Sequence, residues 1–321
     1  PERPSMMNLA QICLPLALAL LPSTQEQQQV EAPPSPPPFE APPDVVPEIE
    51  GAVFTRFYHD SGALAREGYL KDGVRTGVWK AWDEAGARLY HGAFRDYRRV
   101  GPWVVYGKGA RATSKGHYDE DGLRHGAWVN YGSRGDVRLL VRYEHGVQDG
   151  ALERFTRGGL LVERTVYKQG LKDGASVRMS TGAKELLEKG GWSSGKRVGP
   201  WEFYHPGGAL QRTGVYVDGR EEGEWVRYFQ NGKRESVGRF EAGRAVGTWR
   251  GYFKQGERRF VAEFVNGIQE GAFTEWWRSG QVKAKGNYKA GAYEGPWKFW
   301  SAEGQLDTSR SGRYSKGALI Q

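Results

Sequence analysis

Hydrophobic and polar positions in this chain follow neither a sustained helical period nor one long alternation; they follow a repeat. A Gly-x-aromatic step recurs at Gly77-Val78-Trp79, Gly101-Pro102-Trp103, Gly126-Ala127-Trp128, Gly199-Pro200-Trp201, Gly223-Glu224-Trp225, Gly247-Thr248-Trp249, Gly271-Ala272-Phe273 and Gly295-Pro296-Trp297. Gly150-Ala151-Leu152 and Gly174-Ala175-Ser176 keep the register without the ring, and Gly51-Ala52-Val53 opens the series. From Gly77 onward the spacing is 24 or 25 residues. Self-similarity at such a period marks a repeat architecture. A second aromatic series lies half a period away, from Phe94, Tyr118, Tyr143 and Tyr167 through Trp192, Tyr216, Phe240 and Phe264 to Tyr288 and Tyr314, with Leu70 in the first unit.

Each unit therefore holds two short apolar segments bounded by turn residues, which predicts paired strands. Ala183–Lys189 (AKELLEK) is one short helix-like stretch inside the register. One turn family is Asp72-Gly73, Asp121-Gly122, Asp218-Gly219 and Asn266-Gly267, with Gly146, Gly170, Gly195, Gly243 and Gly291 at matching positions. Asp-Gly and Asn-Gly tolerate the positive φ of tight hairpins. The other family is Ser61-Gly62, Ala85-Gly86, Asn231-Gly232, Gln255-Gly256, Ser279-Gly280 and Glu303-Gly304. The predicted fold is all-β: an elongated, curved, single-sheet array of about eleven tandem antiparallel β-hairpins. Tryptophans are expected in one file, tyrosines and phenylalanines in another. Units four and five (Gly150–Trp192) lack the first-strand tryptophan and are the expected weak link.

Composition changes the picture in one respect. Only 38% of the 321 residues are hydrophobic, yet there are 46 glycines and 12 tryptophans. Burial thus rests on aromatic rings, which cover roughly 150–250 Å² each. The single cysteine, Cys13, excludes an intramolecular disulfide and a Cys-based zinc site.

The chain divides into three parts. Residues 1–21 form a signal-peptide-like leader whose apolar run, Leu9–Leu21, is shorter than the roughly 20 residues of a membrane span. Residues 22–50 are a Pro/Gln/Glu-rich linker, expected to be extended and mobile. Residues 51–321 are the array. The leader predicts export to the periplasm or envelope; a cytoplasmic location follows if the leader does not act. Residues 1–50 carry one basic and seven acidic side chains, so of the 46 and 38 in the whole chain 45 and 31 remain in the array. That surplus attracts anionic partners.

At its repeats the sequence resembles the MORN-repeat superfamily, specifically the bacterial MORN-repeat-variant proteins of the YwqK antitoxin type. Gly223–Gly247 (GEWVRYFQNGKRESVGRFEAGRAVG) carries the pattern best, and the resemblance spans about residues 51–321. It implies an extended hairpin sheet that binds proteins or anionic lipid headgroups, with no catalytic residues to carry over. An antitoxin of this type neutralises a toxin by direct contact in the cytoplasm.

Candidate chemistry is sparse. His59, His91, His117, His125, His145 and His205 form no HExxH pair or ligand cluster along the sequence. Gly190–Arg197 nearly spells a phosphate-binding loop, but Arg197 stands where a Ser or Thr would hold Mg²⁺. Acids such as Glu221, Glu222 and Glu270 recur at turns without a shared pocket. The reading is therefore a non-enzymatic scaffold with no cofactor, no metal and no small-molecule substrate. Its partner is a protein or an anionic envelope lipid or polymer, with a membrane surface as one form of the latter. Nucleic acid is disfavoured because the rings occupy core positions. The expected binding face runs along exposed ring edges of Trp201, Trp225, Trp249, Trp276, Trp277, Trp297 and Trp300, with Arg258 and Arg259 supplying charge.

Overall fold

The computed structural model describes residues 38–320. The leader, Leu9–Leu21 and the first part of the linker lie outside the described residues. Those described form one 23-stranded sheet, from Val53–Tyr58 to Ala318–Leu319. Each strand pairs antiparallel with the next in the sequence, a plain meander. The AKELLEK stretch is not helical: Ala183 takes a turn φ of 53°, and Leu186–Ser193 is a strand. The only helical turn among the described residues is the 3₁₀ segment Lys108–Ala110.

The two turn families differ as the dipeptides predict, with one exception: at Asp121-Gly122 only the glycine is left-handed (φ 80°) and Asp119 N–H donates to the Leu123 carbonyl at 2.8 Å, the longer loop of the other family. Asp218 and Gly219 have φ of 51° and 82°, and Asn266 and Gly267 50° and 85°, both residues left-handed as a twisted two-residue hairpin requires. In the other family only the glycine is left-handed, and a register shift in the preceding strand, such as Arg227/Tyr228, absorbs the longer loop.

The two aromatic series do not form separate files. They interleave on one face of the sheet. Tyr118 stands edge-on between Trp103 and Trp128, with centroids 5.8 and 5.0 Å away, and Tyr216 between Trp201 and Trp225 at 6.0 and 5.1 Å. Edge-to-face pairs add about 0.5–1.5 kcal/mol beyond burial. Arginines close the ridge from above: the Arg99 and Arg197 guanidinium carbons lie 4.9 and 4.5 Å from the Trp103 and Trp201 ring centroids. Interleaving plus these lids buries whole indoles on a single-layer sheet.

Each tryptophan of the Gly-x-Trp step lies across a glycine of the preceding strand. A Cβ at Gly68, Gly92, Gly116, Gly190, Gly214, Gly238 or Gly286 would overlap the indole of Trp79, Trp103, Trp128, Trp201, Trp225, Trp249 or Trp297. In all of these but Trp249 the indole N–H donates to a carbonyl beside that glycine, as from Trp201 to Gly191 (3.1 Å) and from Trp297 to Asn287 (2.9 Å). Where the indole is missing, so is the glycine. The facing pairs become Val141 with Leu152, Thr165 with Ser176, and Ala262 with Phe273.

At the break in the ridge the core changes faces. Val129, Leu140 and Phe155 bury together on the opposite side and support the fourth unit. The fifth has no such cluster. Thr165 and Ser176 share a 2.9 Å hydroxyl hydrogen bond, and strand Leu171–Met179 contains no buried residue. Local opening free energy follows local burial. Amides of Leu171–Met179 are therefore expected to exchange first within the interior of the array, measured by hydrogen–deuterium exchange; protection equal to that of Lys196–Tyr204 would contradict this.

The end of the linker is not free-standing. Residues 38–50 run along the sheet face opposite the tryptophans without forming a strand, bending at Asp44–Val45. His91 Nε2 bonds the Pro43 carbonyl at 3.0 Å, Lys80 Nζ donates to the Asp44 carbonyl, and Arg88 pairs with the Asp44 carboxylate at 3.5 Å. Phe39 meets the His117 ring at 5.3 Å under Lys115 Nζ, and Ile49 fills the space a Cβ at Gly77 would take.

Candidate functional site

Three consecutive repeats begin their second-family turn with an aromatic residue: Phe229, Phe253 and Trp277. Each closes its loop with two backbone bonds, as where Trp277 N–H donates to Gln281 O at 2.8 Å and Gly280 N–H returns to Trp277 O at 2.9 Å. The loop geometry thus holds each ring at the turn edge of the sheet. Trp277 is fixed further by its indole N–H, which donates to the Trp300 carbonyl of the next repeat at 3.0 Å. Side chains stitch this edge together, Asn231 Nδ2 reaching the Lys254 carbonyl at 2.8 Å.

Between these turns lies a groove of about 410 Å³, lined by Phe229, Tyr252, Phe253, Trp276 and Trp277 with Lys254, Arg259, Arg278, Lys283 and Glu275. Lys283 is engaged twice, with its ammonium 3.0 Å from the Glu275 carboxylate and 4.9 Å from the Trp277 ring centroid. Arg278 stands 5.8 Å from the Phe253 ring centroid. Lys254, Arg259 and Arg278 make no ion pair among the described residues. The groove therefore offers aromatic walls and three uncompensated cations. That arrangement suits an extended ligand with negative charges and flat or apolar groups.

Trp276, Trp277 and Arg259 of the sequence-predicted face come together here. Arg258 is exposed beside it, opposite Tyr252 in the strand pairing, and Trp300 is half-buried and supplies a carbonyl. The expected exposed ring edges of Trp201, Trp225 and Trp297 are absent: these side chains are 1%, 3% and 1% exposed. Glycine beneath, edge-on rings beside and arginine above leave them no solvent face. Trp249 is half-buried in the same row. Phe229, Tyr252, Phe253, Lys254, Arg278 and Lys283 were missed. The signal for the turn rings was there: an aromatic stands two residues before each of Asn231, Gln255 and Ser279.

The fold gives the histidines surroundings that their spacing in the sequence does not show. His91 is buried under the 38–50 segment, and burial first, then nearby Lys80, holds its ring below the usual imidazole range. His125, His145 and Asp119, separate in the sequence, bring ligand-type atoms within 4.8 Å of one another.

The fold defines the class: an all-β, tandem hairpin-repeat protein with a solvent-open groove at its turn edge. The family model described as "MORN repeat variant" matches residues 221–242 and 269–290, two of these repeats. Two solved structures resemble the chain, described as "Crystal Structure of TcdB2-TccC3-Cdc42" and "Crystal Structure of TcdB2-TccC3". Each is 11% identical; they cover 80% and 83% of this chain, at TM-scores of 0.18 and 0.14. This chain spans only 16% and 18% of theirs. No curated protein matches.

Proposed function

We propose that this protein is a non-catalytic scaffold that holds an extended, acidic, aromatic-bearing protein segment in the groove at Trp276 and Trp277. The observation that carries the reading is the meeting of five rings and three unpaired cations in one groove. Support comes from the chain itself. Residues 38–50 form no strand or helix, include Glu40, Asp44, Glu48 and Glu50, and are held on the sheet by Lys80, Arg88, Lys115 and histidine rings. The same kind of segment supplied by a partner meets the same chemistry in the groove. The leader-like run Leu9–Leu21 favours an exported protein that works in the envelope. A cytoplasmic antitoxin-like protein of the YwqK type, holding a toxin, uses the same groove, and cell fractionation separates the two.

Titration with a fluorescein-labelled glutamate–tyrosine copolymer tests the proposal. Trp276→Ala with Trp277→Ala is expected to weaken binding about 30-fold, the range of an aromatic hot spot. Arg259→Glu should act in the same direction, and added salt should weaken the wild-type complex. Equal binding by the wild type and both variants rejects the groove. Capture of phosphatidylglycerol vesicles but not of the copolymer replaces the protein segment by a lipid surface.

A further inference from the structure

In five repeats a carboxylate three positions into the first strand clamps the following hairpin. Asp149, Asp173, Glu222, Glu270 and Glu294 accept the backbone N–H of Gln169, Ser194, Ala242, Ala290 and Lys316 at 3.1, 2.9, 2.9, 2.6 and 3.0 Å. Each of those N–H groups belongs to a left-handed turn residue, with φ between 47° and 48°. The acids that recur at turns in the sequence thus have a structural task. A second solution uses Val or Thr in the strand with Asp or Asn in the turn, as Val198 with Asp218 and Val246 with Asn266.

One repeat uses neither. Its strand position is His125 and its turn position is His145, the latter at φ 44°. No other repeat has histidine at either place. The Gly146 N–H donates to the Arg124 carbonyl at 2.7 Å, which ties the turn beside the strand and brings the two imidazoles to 5.5 Å between centroids. Asp119 approaches from the preceding turn. Its Oδ1 accepts the Asp121 and Leu123 N–H groups at 3.0 and 2.8 Å, so the carboxylate is fixed with Oδ2 2.8 Å from His145 Nδ1. Glu144 stands on the other side, its oxygens 3.8 Å from His125 Nδ1 and 3.6 Å from His145 Nε2. His125 Nδ1 is sequestered and has no hydrogen-bond partner.

We infer that His125, His145 and Asp119, with Glu144 or water as fourth ligand, form a binding site for a divalent transition-metal ion such as Zn²⁺. Two imidazoles and carboxylates are the donor set of borderline ions, whereas Ca²⁺ and Mg²⁺ take oxygen alone. Ligand atoms around a tetrahedral ion with bonds near 2.0–2.1 Å lie roughly 3.3 Å apart. One ligand atom from each of Asp119, His125 and His145 lies within 4.8 Å of the other two, with Asp119 Oδ2 2.8 Å from His145 Nδ1, so shifts of about 1.5 Å or less close the site. The backbone bonds to Asp119 Oδ1 already orient one ligand, as outer-shell contacts do in metal sites. A bound ion joins two turns and a strand in place of the carboxylate clamp found elsewhere.

The full chain, stripped with chelator, is titrated with Zn²⁺ by calorimetry and with Co²⁺ by visible absorption. One ion per chain is expected, with Co²⁺ giving the intense bands of low coordination. His125→Ala and His145→Ala should each lower affinity at least about tenfold, and Asp119→Asn by a similar factor. The decisive variant combines His125→Glu with His145→Ala, which installs the clamp of Glu222 and Ala242. It should melt like the wild type and lose the site. Wild-type chain that takes up no Zn²⁺, or a double variant that binds it equally well, overturns the assignment.

Discussion

Valine in place of Gly214 is expected to destabilise the array by about 3 kcal/mol, at the upper end for overpacking in a well-filled interior. The added Cβ lands on the Trp225 indole, whose backbone-bonded N–H (3.2 Å to the Val215 carbonyl) and edge-on neighbour Tyr216 leave it nowhere to swing. The loss should be partly reversed by Trp225→Leu, because the chain already contains that solution where Val141 faces Leu152. Urea unfolding of the four proteins of this cycle reads the coupling directly. A favourable interaction of roughly 1–3 kcal/mol between the two substitutions is expected. Strictly additive losses would mean that glycine and indole are not packed as one unit.

Trp201→Ala carries the second large effect, a loss of about 3–5 kcal/mol, as for buried aromatic truncations generally. Trp201 is 1% exposed, packs edge-on against Trp192 at 5.4 Å and donates to the Gly191 carbonyl, which truncation leaves without that partner. Stability in repeat arrays is close to a sum of neighbour terms, so the cost spreads to both adjoining repeats. Trp277→Ala should differ in kind. That ring is half-buried at a turn, and its removal should cost under about 1.5 kcal/mol while copolymer binding falls. Thermal melts and binding measured on the same two proteins separate core tryptophans from ligand-facing ones. Equal stability losses at both positions would erase that division.

The repeat itself was legible because its punctuation is steric. Asp218-Gly219 and Asn266-Gly267 name their hairpins through the φ values only such residues adopt cheaply, and the 24- or 25-residue spacing fixes strand order. The Gly-x-Trp step was equally readable as a strand signal. Which way each ring points was not. Trp201 and Trp277 look alike in a list of aromatics; a glycine of the preceding strand and Arg197 of its own strand bury the first, and a turn leaves the second half-exposed.

The same holds for the candidate sites. Trp276, Trp277 and Arg259 were picked from the density of aromatic and basic residues in the last repeats, while Phe229, Phe253 and Lys254 join them only through the lateral alignment of turns. His125 and His145 lie 20 residues apart and meet because hairpin register places a turn beside a strand. Composition and period thus determine by themselves that this chain is a glycine-punctuated meander of hairpins, since local φ demands and strand length act within a few residues. Tertiary structure alone decides which rings are core, which cations go unpaired and which histidines converge, because those depend on side chains brought together across strands.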